Sequence, residues 1–213
     1  MDFEAIRKEY ENQGIDEKLL PNEPISLLRE WYQLAVEKRP GKWLEPNAMS
    51  LATADRNGHV TNRYVLLKSI EDDGLRFFTN YESTKGQQLS ANPRAAVALH
   101  WPYLGRQIRV EGQVEKTSRV VSEAYFHSRP RGSQLGAAAS QQSAVIESRS
   151  DLDQQRKRLD IQFKDQLIPL PDNWGGYLLK PSLIEFWQGR LDRLHDRIVY
   201  EFDGSWDWNR RSP

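Results

Sequence analysis

The chain has 213 residues, with 30 basic and 30 acidic side chains that give a formal net charge of zero at pH 7. This length suits one domain with a substantial core, and the lack of a basic excess argues against a general nucleic-acid binder. The chain has no cysteine, which excludes disulfides, thiolate catalysis and cysteine-ligated metals. The charged start lacks a signal-peptide core, and no segment approaches the roughly 18 apolar residues of a membrane span, so we expect a soluble, cytoplasmic protein that binds no membrane.

The beginning of the chain predicts a flexible segment followed by a helix. Residues 1–20 are polar, and we expect them to become ordered against a partner or ligand. Pro24 stands where a helix start tolerates proline, and apolar residues within Ile25–Ala35 recur at helical spacing. This pattern predicts an amphipathic helix to about Lys38, in a single domain that spans residues 21–213.

The central part of the chain alternates strand signals with turn signals. Two apolar strands flank the turn "DRNG", and a third, "LRFFTN", follows the turn "EDDG". After a short helix come the strands "RAAVALHW" and "RQIRVEGQVEKT". The short connections predict an antiparallel meander of about five strands.

The last part of the chain changes from helices to strands. Residues 118–168 are mostly helical, and two or three strands end the chain around "GYLLKPSLIEFWQG", "LHDRIVYEF" and "WDWNR". The sequence therefore predicts an α+β fold, in which an antiparallel sheet of six or more strands closes as a barrel with helices around it.

Basic residues stand beside hydroxyl groups in four places, which indicates one or two ligands that carry phosphate. In "RYVLLKS", a cation stands near each end of a buried strand, although strict alternation puts Arg63 and Lys68 on opposite faces. In "TNYESTKGQQL", Ser83, Thr84 and Lys85 open a helix, where free N–H groups and the helix dipole favour an anion. The plainer alternatives are solvated strand ends and an ordinary N-cap.

The third place is "YFHSRPRGSQL". Two guanidinium groups, Arg129 and Arg131, stand close to the Ser133 hydroxyl and the Tyr125 phenol, a combination that suits a phosphate monoester. Arginines on a helix surface are the alternative interpretation. We expect His127 to be structural.

The fourth place is "RLDRLHDR", between two strands. An extended chain would direct Arg193, His195 and Arg197 to one face of the sheet. Asp192 and Asp196 could instead neutralise the arginines in surface ion pairs, which contribute little. No HExxH or paired-histidine spacing occurs, so we expect no metal.

Taken together, these segments resemble the pyridoxine/pyridoxamine 5′-phosphate oxidase family. The motifs "RYVLLK", "FFTNYESTKGQQL", "FHSRPRGSQLGA", "PLPDNWGGY" and "EFWQGRLDRLHDR" follow in the family's order from about residue 20 to the end. The resemblance implies an FMN-binding split β-barrel and a homodimer with FMN at the subunit interface, the C-terminal part serving dimerisation and substrate binding. The implied reaction oxidises pyridoxamine or pyridoxine 5′-phosphate to pyridoxal 5′-phosphate in vitamin B6 synthesis and salvage. O2 is the acceptor, and the products include H2O2 and, from the amine, ammonia.

The resemblance also assigns residues to each ligand. Residues implied to bind FMN are Arg63, Tyr64, Val65, Leu66, Leu67, Lys68, Phe78, Thr79, Thr84, Lys85, Gln107, Gln142, Ser143, Trp187 and Arg197. Residues implied to bind substrate are Lys68, Tyr125, Arg129, Ser133, Arg193 and His195, with Arg7 and Tyr10 from a segment that closes over the site. Arg193 and His195 are the implied catalytic pair. Arg193 would supply a cationic plane, and His195 would either move a proton or orient the substrate.

The sequence departs from the family pattern at Thr84, Ala138 and Arg211. Thr84 stands where the family often has a second phosphate-binding arginine, so FMN would lose one guanidinium fork. Three other functions compete with the oxidase: a non-catalytic FMN or pyridoxal phosphate binder, a Schiff-base enzyme using Lys68, and a nucleic-acid module. The presence of the whole substrate set argues against the first, and the zero net charge argues against the third. The second would need a carbonyl-facing pocket and an acidic partner for the pyridine nitrogen, which nothing near Lys68 clearly supplies.

Overall fold

The structure is a computed structural model that describes Tyr10 and residues 14–213. Arg7 and most of the predicted flexible segment lie outside the described residues, which form five α-helices and nine strands. The helices are α1 (Pro24–Glu37), α2 (Thr84–Ala91), α3 (Arg119–Ser128), α4 (Arg131–Ala139) and α5 (Arg149–Gln162). The strands are β1 (Ala48–Ala54), β2 (Val60–Leu66), β3 (Ser69–Ile70), β4 (Leu75–Asn80), β5 (Arg94–Trp101), β6 (Arg106–Lys116), β7 (Trp174–Gln188), β8 (Asp196–Phe202) and β9 (Trp206–Arg210). In this part of the chain, no helix combines the length and the apolar character needed to span a membrane.

The predicted α+β fold with an antiparallel sheet is confirmed, but the predicted meander is wrong. The strand order is β2-β1-β5-β6-β7-β4-β3, and β8 and β9 continue from β7. Strand β7 comes late in the chain yet pairs with both β4 and β6. One edge of β7 pairs with β6. Its length of 15 residues allows the other edge to pair with β4 in its first half and with β8 in its second half. The sheet curls into the half-barrel of a split-barrel fold.

The interior of the curled sheet holds the main core. Alternate residues of β1 (Met49, Leu51 and Thr53) are buried, as the two-residue repeat of a half-exposed strand requires. Helix α1 covers one end of this core, where the ring centroids of Trp31 and Phe186 lie 5.2 Å apart at an angle of 78°. Burial of these large apolar side chains supplies most of the stability of the sheet.

A second apolar cluster attaches α3 and α4 to the sheet. Phe126 of α3 and Leu135 of α4 are buried beside Trp174, the first residue of β7. The ring centroids of Phe126 and Trp174 are 5.3 Å apart. This packing holds the start of α4 close to β4 and β7, at the edge of the site described below.

The charged stretch before β8 differs from its prediction. The expected extended chain is replaced by a 3-10 turn over Leu191–Arg193, and β8 begins at Asp196. Within the turn, Asp192 and Arg193 have φ values of 54° and 59°, in the left-handed region. The prediction that strand alternation directs Arg193 to the same face as His195 and Arg197 is therefore wrong, because Arg193 lies in the turn before β8.

Candidate functional site

A cavity of 1050 Å³ lies between β2, β4, the start of α2 and one side of α4. Among the described residues that line it are four cations, Arg63, Lys68, Lys85 and Arg129, and no acidic side chain. Such a local excess in a chain of zero net charge suits an anionic ligand. The predicted site residues that line it are Arg63, Tyr64, Val65, Leu66, Lys68, Phe78, Thr79, Thr84, Lys85, Tyr125, Arg129, Ser133, Gln142 and Ser143.

A break in strand geometry brings Arg63 and Lys68 to one cavity. Strand β2 ends before Leu67, whose backbone N–H donates to the Asn47 carbonyl at 2.8 Å and whose side chain enters the core. The N–H of Lys68 then donates to the carbonyl of Arg76 at 2.8 Å. Since the chain changes partner here, alternation no longer separates the two cations. Leu67 itself does not line the cavity, and its contact with FMN stays a prediction.

Lys85 is a buried cation held by neutral groups. Its Nζ donates to Thr79 Oγ1 at 3.1 Å, to Ser83 Oγ at 2.9 Å and to Gln142 Oε1 at 2.8 Å. Burial, together with the positive charge of Arg63, lowers the pKa of Lys85 to about 8. A buried ammonium without a counter-charge is costly, so an anion bound here would be stabilised.

The start of α2 adds backbone donors beside Lys85. Ser83 caps the helix by accepting from the N–H of Gly86, and Ser143 Oγ accepts from the N–H of Thr84 at 3.3 Å. Gly86 permits this close packing, because a Cβ there would lie 2.2 Å from the carbonyl oxygen of Tyr81. The helix dipole favours a phosphate at this end of the cavity, where the Ser83 and Ser143 hydroxyls accept hydrogen bonds from these two N–H groups.

An aromatic stack and an unpaired guanidinium nitrogen form the other end of the cavity. The ring centroids of Phe78 and Tyr125 are 3.9 Å apart, and Trp174 stacks on Phe78 at 5.6 Å. The Arg129 guanidinium lies 4.8 Å from the Trp174 ring centre, and Lys68 Nζ lies 5.8 Å from that of Tyr125. In the described part of the chain, Arg129 Nη1 is buried without a hydrogen-bond partner, and burial lowers the Arg129 pKa. An anionic ligand would supply the missing acceptor.

The arginines on either side of Pro130 have different surroundings. Arg131 does not line the cavity; its Nη2 donates to Asp160 Oδ1 at 3.1 Å and joins α4 to α5. Ser133, two residues on, does line it. His127 bonds the Ile168 carbonyl through Nε2 at 3.0 Å, a structural contact of the kind expected. Of the two guanidinium groups predicted to bind a phosphate here, Arg129 lines the cavity and Arg131 does not.

The other predicted site residues form a second group, here called the strand-end cluster: Tyr10, Gln107, Trp187, Arg193, His195 and Arg197. Trp187 on β7 is the direct cross-strand neighbour of Gln107 on β6 and of Arg197 on β8. The His195 ring lies 4.7 Å from Trp187, and the Tyr10 ring lies 5.7 Å from it. Arg193 is exposed in the 3-10 turn beside them.

The strand-end cluster does not line the cavity of its own chain. Trp174, which does line it, begins β7, and Trp187 stands near the other end of that strand. Thirteen residues of strand span roughly 40 Å along its path. The fold therefore separates the predicted residues into two groups at opposite ends of β7.

His195 has a defined tautomer. Its Nδ1 accepts a hydrogen bond of 3.0 Å from the backbone N–H of Arg190. The proton of the neutral imidazole is therefore on Nε2, which can donate but cannot accept. This choice, which the sequence left open, depends on the conformation of the turn.

Two side chains with a place in the site were not singled out from the sequence. Trp174 stacks in the cavity, and Glu185 receives the guanidinium of Arg197. Each had a signal: a tryptophan inside the motif "PDNWGG", and a lone carboxylate inside the apolar run "LIEFW". A buried acid usually has a charged partner, so the second signal was the stronger.

The chain is similar to known proteins over most of its length. Residues 40–162 match the family model described as pyridoxamine 5′-phosphate oxidase, and residues 174–213 match that of the pyridoxine 5′-phosphate oxidase C-terminal dimerisation region. A pyridoxine/pyridoxamine 5′-phosphate oxidase of Rhodopirellula baltica is 47% identical over 99% of this chain and 96% of its own length. One from Pseudomonas paraeruginosa is 49% identical over 98% and 97%.

A solved structure gives the same result. PhzG from Burkholderia lata, in complex with tetrahydrophenazine-1-carboxylic acid, is 32% identical and superposes with a TM-score of 0.87 over 92% of this chain and 95% of that one. The sequence matches and this superposition each span most of the chain. The chain therefore belongs to the pyridoxine/pyridoxamine 5′-phosphate oxidase family, and its last strands form the family's dimerisation region.

Proposed function

We propose that this chain is an FMN-dependent oxidase that converts pyridoxamine or pyridoxine 5′-phosphate to pyridoxal 5′-phosphate, with O2 as the acceptor. The observation that carries this proposal is a cavity whose described lining has no acidic side chain and has two groups of basic residues, one around Lys85 and one around Arg129. FMN and the substrate each bring a phosphate, and two anions require two separate positions.

The position around Lys85 fits the phosphate of FMN. Lys85 and Arg63 are cations whose described hydrogen-bond acceptors are hydroxyl, amide and carbonyl oxygens. The start of α2 adds a favourable helix dipole. Thr84 stands where the family often has a second arginine, and its N–H donates to Ser143 Oγ at 3.3 Å, so the FMN phosphate would have one guanidinium fork fewer here.

The position around Arg129 fits the phosphate of the substrate. Its buried Nη1 lacks an acceptor among the described residues, and Ser133 and Tyr125 line the same wall. A phosphate monoester would satisfy the guanidinium bidentately and accept from the two hydroxyl groups. Lys68, beside the Tyr125 ring, would hold the polar edge of the pyridine ring.

FMN, when bound, supplies the redox chemistry by taking a hydride equivalent from the substrate and passing electrons on to O2. The protein positions the ring and balances charge. Arg193 would stabilise charge on the substrate ring, and His195 would donate a hydrogen bond from Nε2 rather than remove a proton. The stacked rings of Phe78, Tyr125 and Trp174 would exclude water from one wall.

The strand-end cluster would complete the site from a second copy of the chain. The family's dimerisation region spans residues 174–213 and contains Trp187, Arg193, His195 and Arg197. The separation of the two groups along β7 also supports a shared site. In a symmetric dimer, each cavity would receive the strand-end cluster of the partner, with FMN at the interface.

The test is reconstitution followed by oxygen consumption. The purified protein should bind FMN with near-stoichiometric flavin absorbance, and O2 uptake should begin when pyridoxamine or pyridoxine 5′-phosphate is added. Unphosphorylated pyridoxamine is the matched control and should give little uptake. A protein that takes up no FMN contradicts the proposal, and one that binds FMN without O2 uptake is a non-catalytic binder.

A second candidate substrate comes from the PhzG structure, whose ligand is a carboxylic acid without phosphate. The two phosphate positions favour the pyridoxine phosphates over such a ligand. Tetrahydrophenazine-1-carboxylic acid belongs in the same oxygen assay, where we expect no uptake above background.

A further inference from the structure

Glu185 is a buried carboxylate with no role in the proposed function so far. It stands on β7, and its residue is 4% exposed. In the part of the chain that the structure describes, the buried acids are Glu185 and Asp196. Acidic residues are almost never fully buried unless they are paired, so the partners of Glu185 indicate its purpose.

Both oxygens of Glu185 are occupied by arginines. The carboxylate receives Arg197 as a fork, with Nε at 2.8 Å from Oε1 and Nη2 at 3.2 Å from Oε2. Arg109 Nη2 donates to Oε2 at 2.6 Å from the other side. Arg109 also pairs with Glu111, so two acids balance two cations. This bidentate geometry restricts the orientation of the guanidinium.

The charge of this carboxylate is secured by its partners. Burial works against ionisation, but the hydrogen bonds from Arg197 and Arg109 outweigh it and place the Glu185 pKa below its usual range. The fork is therefore ionic throughout the neutral pH range.

Arg197 still has donors for a ligand. A guanidinium carries five N–H bonds. Two bind Glu185, and one from Nη1 binds the Ser212 carbonyl at 3.0 Å. Two N–H bonds remain, on a side chain that is 30% exposed. The fork and the Ser212 bond fix the plane of the guanidinium and so the directions of those two bonds.

We propose that Glu185 is a positioning residue of the oxidase, which orients Arg197 so that its two remaining N–H groups meet FMN. The inference rests on the proposed function, in which Arg197 binds the cofactor. Glu185 itself need not touch FMN. A buried ion pair contributes little net stability, so a purely structural role would be a poor reason for this arrangement.

The matched variants are Glu185→Gln and Glu111→Gln. Both remove a negative charge next to Arg109, but the ion pair of Arg197 is with Glu185 and not with Glu111. FMN affinity of the apoprotein is measured by quenching of flavin fluorescence, with sedimentation to check the dimer. We expect Glu185→Gln to weaken FMN binding about tenfold and Glu111→Gln to change it less than about twofold.

The decisive measurement repeats Glu185→Gln in an Arg197→Ala background. If Glu185 acts through Arg197, the second substitution has no further effect on FMN affinity. An undiminished effect in that background, or normal affinity in Glu185→Gln when Arg197→Ala weakens binding, would overturn the inference. Normal affinity in Arg197→Ala instead contradicts the proposed function, because Arg197 then does not bind FMN.

A conservative variant covers the case in which Glu185→Gln does not fold. Glu185→Asp keeps the charge but shortens the side chain, so the fork is displaced. We expect an unfolding midpoint close to that of the unmodified chain and FMN binding weakened several-fold. Normal FMN binding in Glu185→Asp would also overturn the inference.

Discussion

At the scale of single residues, the site depends on charges that are buried without a counter-charge. Lys85 is the clearest example, since its described hydrogen-bond partners are neutral oxygens and its pKa lies at about 8. The free protein therefore loses the Lys85 proton as the pH rises through about 8. A bound phosphate dianion would hold that proton, so binding and protonation are linked.

The first prediction concerns this linkage. FMN affinity should fall as the pH rises above about 8, because the proton that Lys85 needs must then be taken up on binding. Lys85→Arg should remove the fall, since a guanidinium stays charged. Fluorescence titrations between pH 7 and pH 9 measure it, and riboflavin, which has no phosphate, is the control ligand. An equal fall with riboflavin would assign the effect to the ring instead.

The second prediction concerns His195, whose Nδ1 is occupied by the Arg190 N–H. A glutamine amide reaches about as far as Nε2 and can donate there, whereas an asparagine amide is shorter. His195→Gln should keep turnover within about tenfold, and His195→Asn should lose more. Nitrogen NMR of the free protein should find the proton on Nε2. Equal, large losses in both variants, with a protonated Nδ1, would restore the proton-transfer role.

At the scale of secondary-structure elements, the sequence predicted what depends on local pattern. Helix α1 and the strands around "DRNG" follow from apolar spacing and turn residues. The insertion of β7 between β6 and β4 did not follow, because pairing between residues as distant as Phe78 and Gly176 leaves no local signal. The sequence did not predict that Arg63 and Lys68 share a cavity, for the same reason: the strand break at Leu67 depends on its hydrogen bond to the distant Asn47.

The start of β8 also depends on distant contacts. Asp196 Oδ2 accepts from the Ile15 N–H at 3.0 Å and from Arg190 Nη1 at 3.2 Å, while Oδ1 accepts from Arg210. Burial raises the Asp196 pKa, but these donors outweigh it and lower the pKa below its usual value. The carboxylate joins the start of the described chain, the 3-10 turn and β9.

The third prediction tests this junction. Asp196→Asn should destabilise the fold by about 3 kcal/mol at pH 7, because the arginines lose a buried partner. The Asp196 pKa is lower in the folded chain than in the unfolded chain, where it is about 3.9, so the carboxylate stabilises the fold at pH values above about 3.9. This stabilisation is lost as the pH falls through the pKa of the folded state. Urea unfolding should therefore give a difference that shrinks below about pH 4. The exposed Asp192→Asn is the control, and an equal effect there would contradict the account.

At the scale of the whole molecule, the fold separates the two groups of predicted site residues, which lie at opposite ends of β7. The cavity holds the two proposed phosphate positions, and the strand-end cluster holds Arg193 and His195. The family's dimerisation region contains Trp187, Arg193, His195 and Arg197 of the strand-end cluster. Motifs predicted most residues of the proposed site, Trp174 and Glu185 excepted, but not their separation, because that depends on the path of β7.

The shared site is tested most directly by mixing two damaged chains. Arg129→Gln damages the cavity, and Arg193→Ala damages the strand-end cluster, so each homodimer should be nearly inactive. After unfolding and refolding an equal mixture, half of the dimers contain both chains and have one intact site of two. Oxygen uptake with pyridoxine 5′-phosphate should therefore return to about a quarter of the unmodified rate. Mixed dimers as inactive as the two homodimers would contradict a site built from two chains.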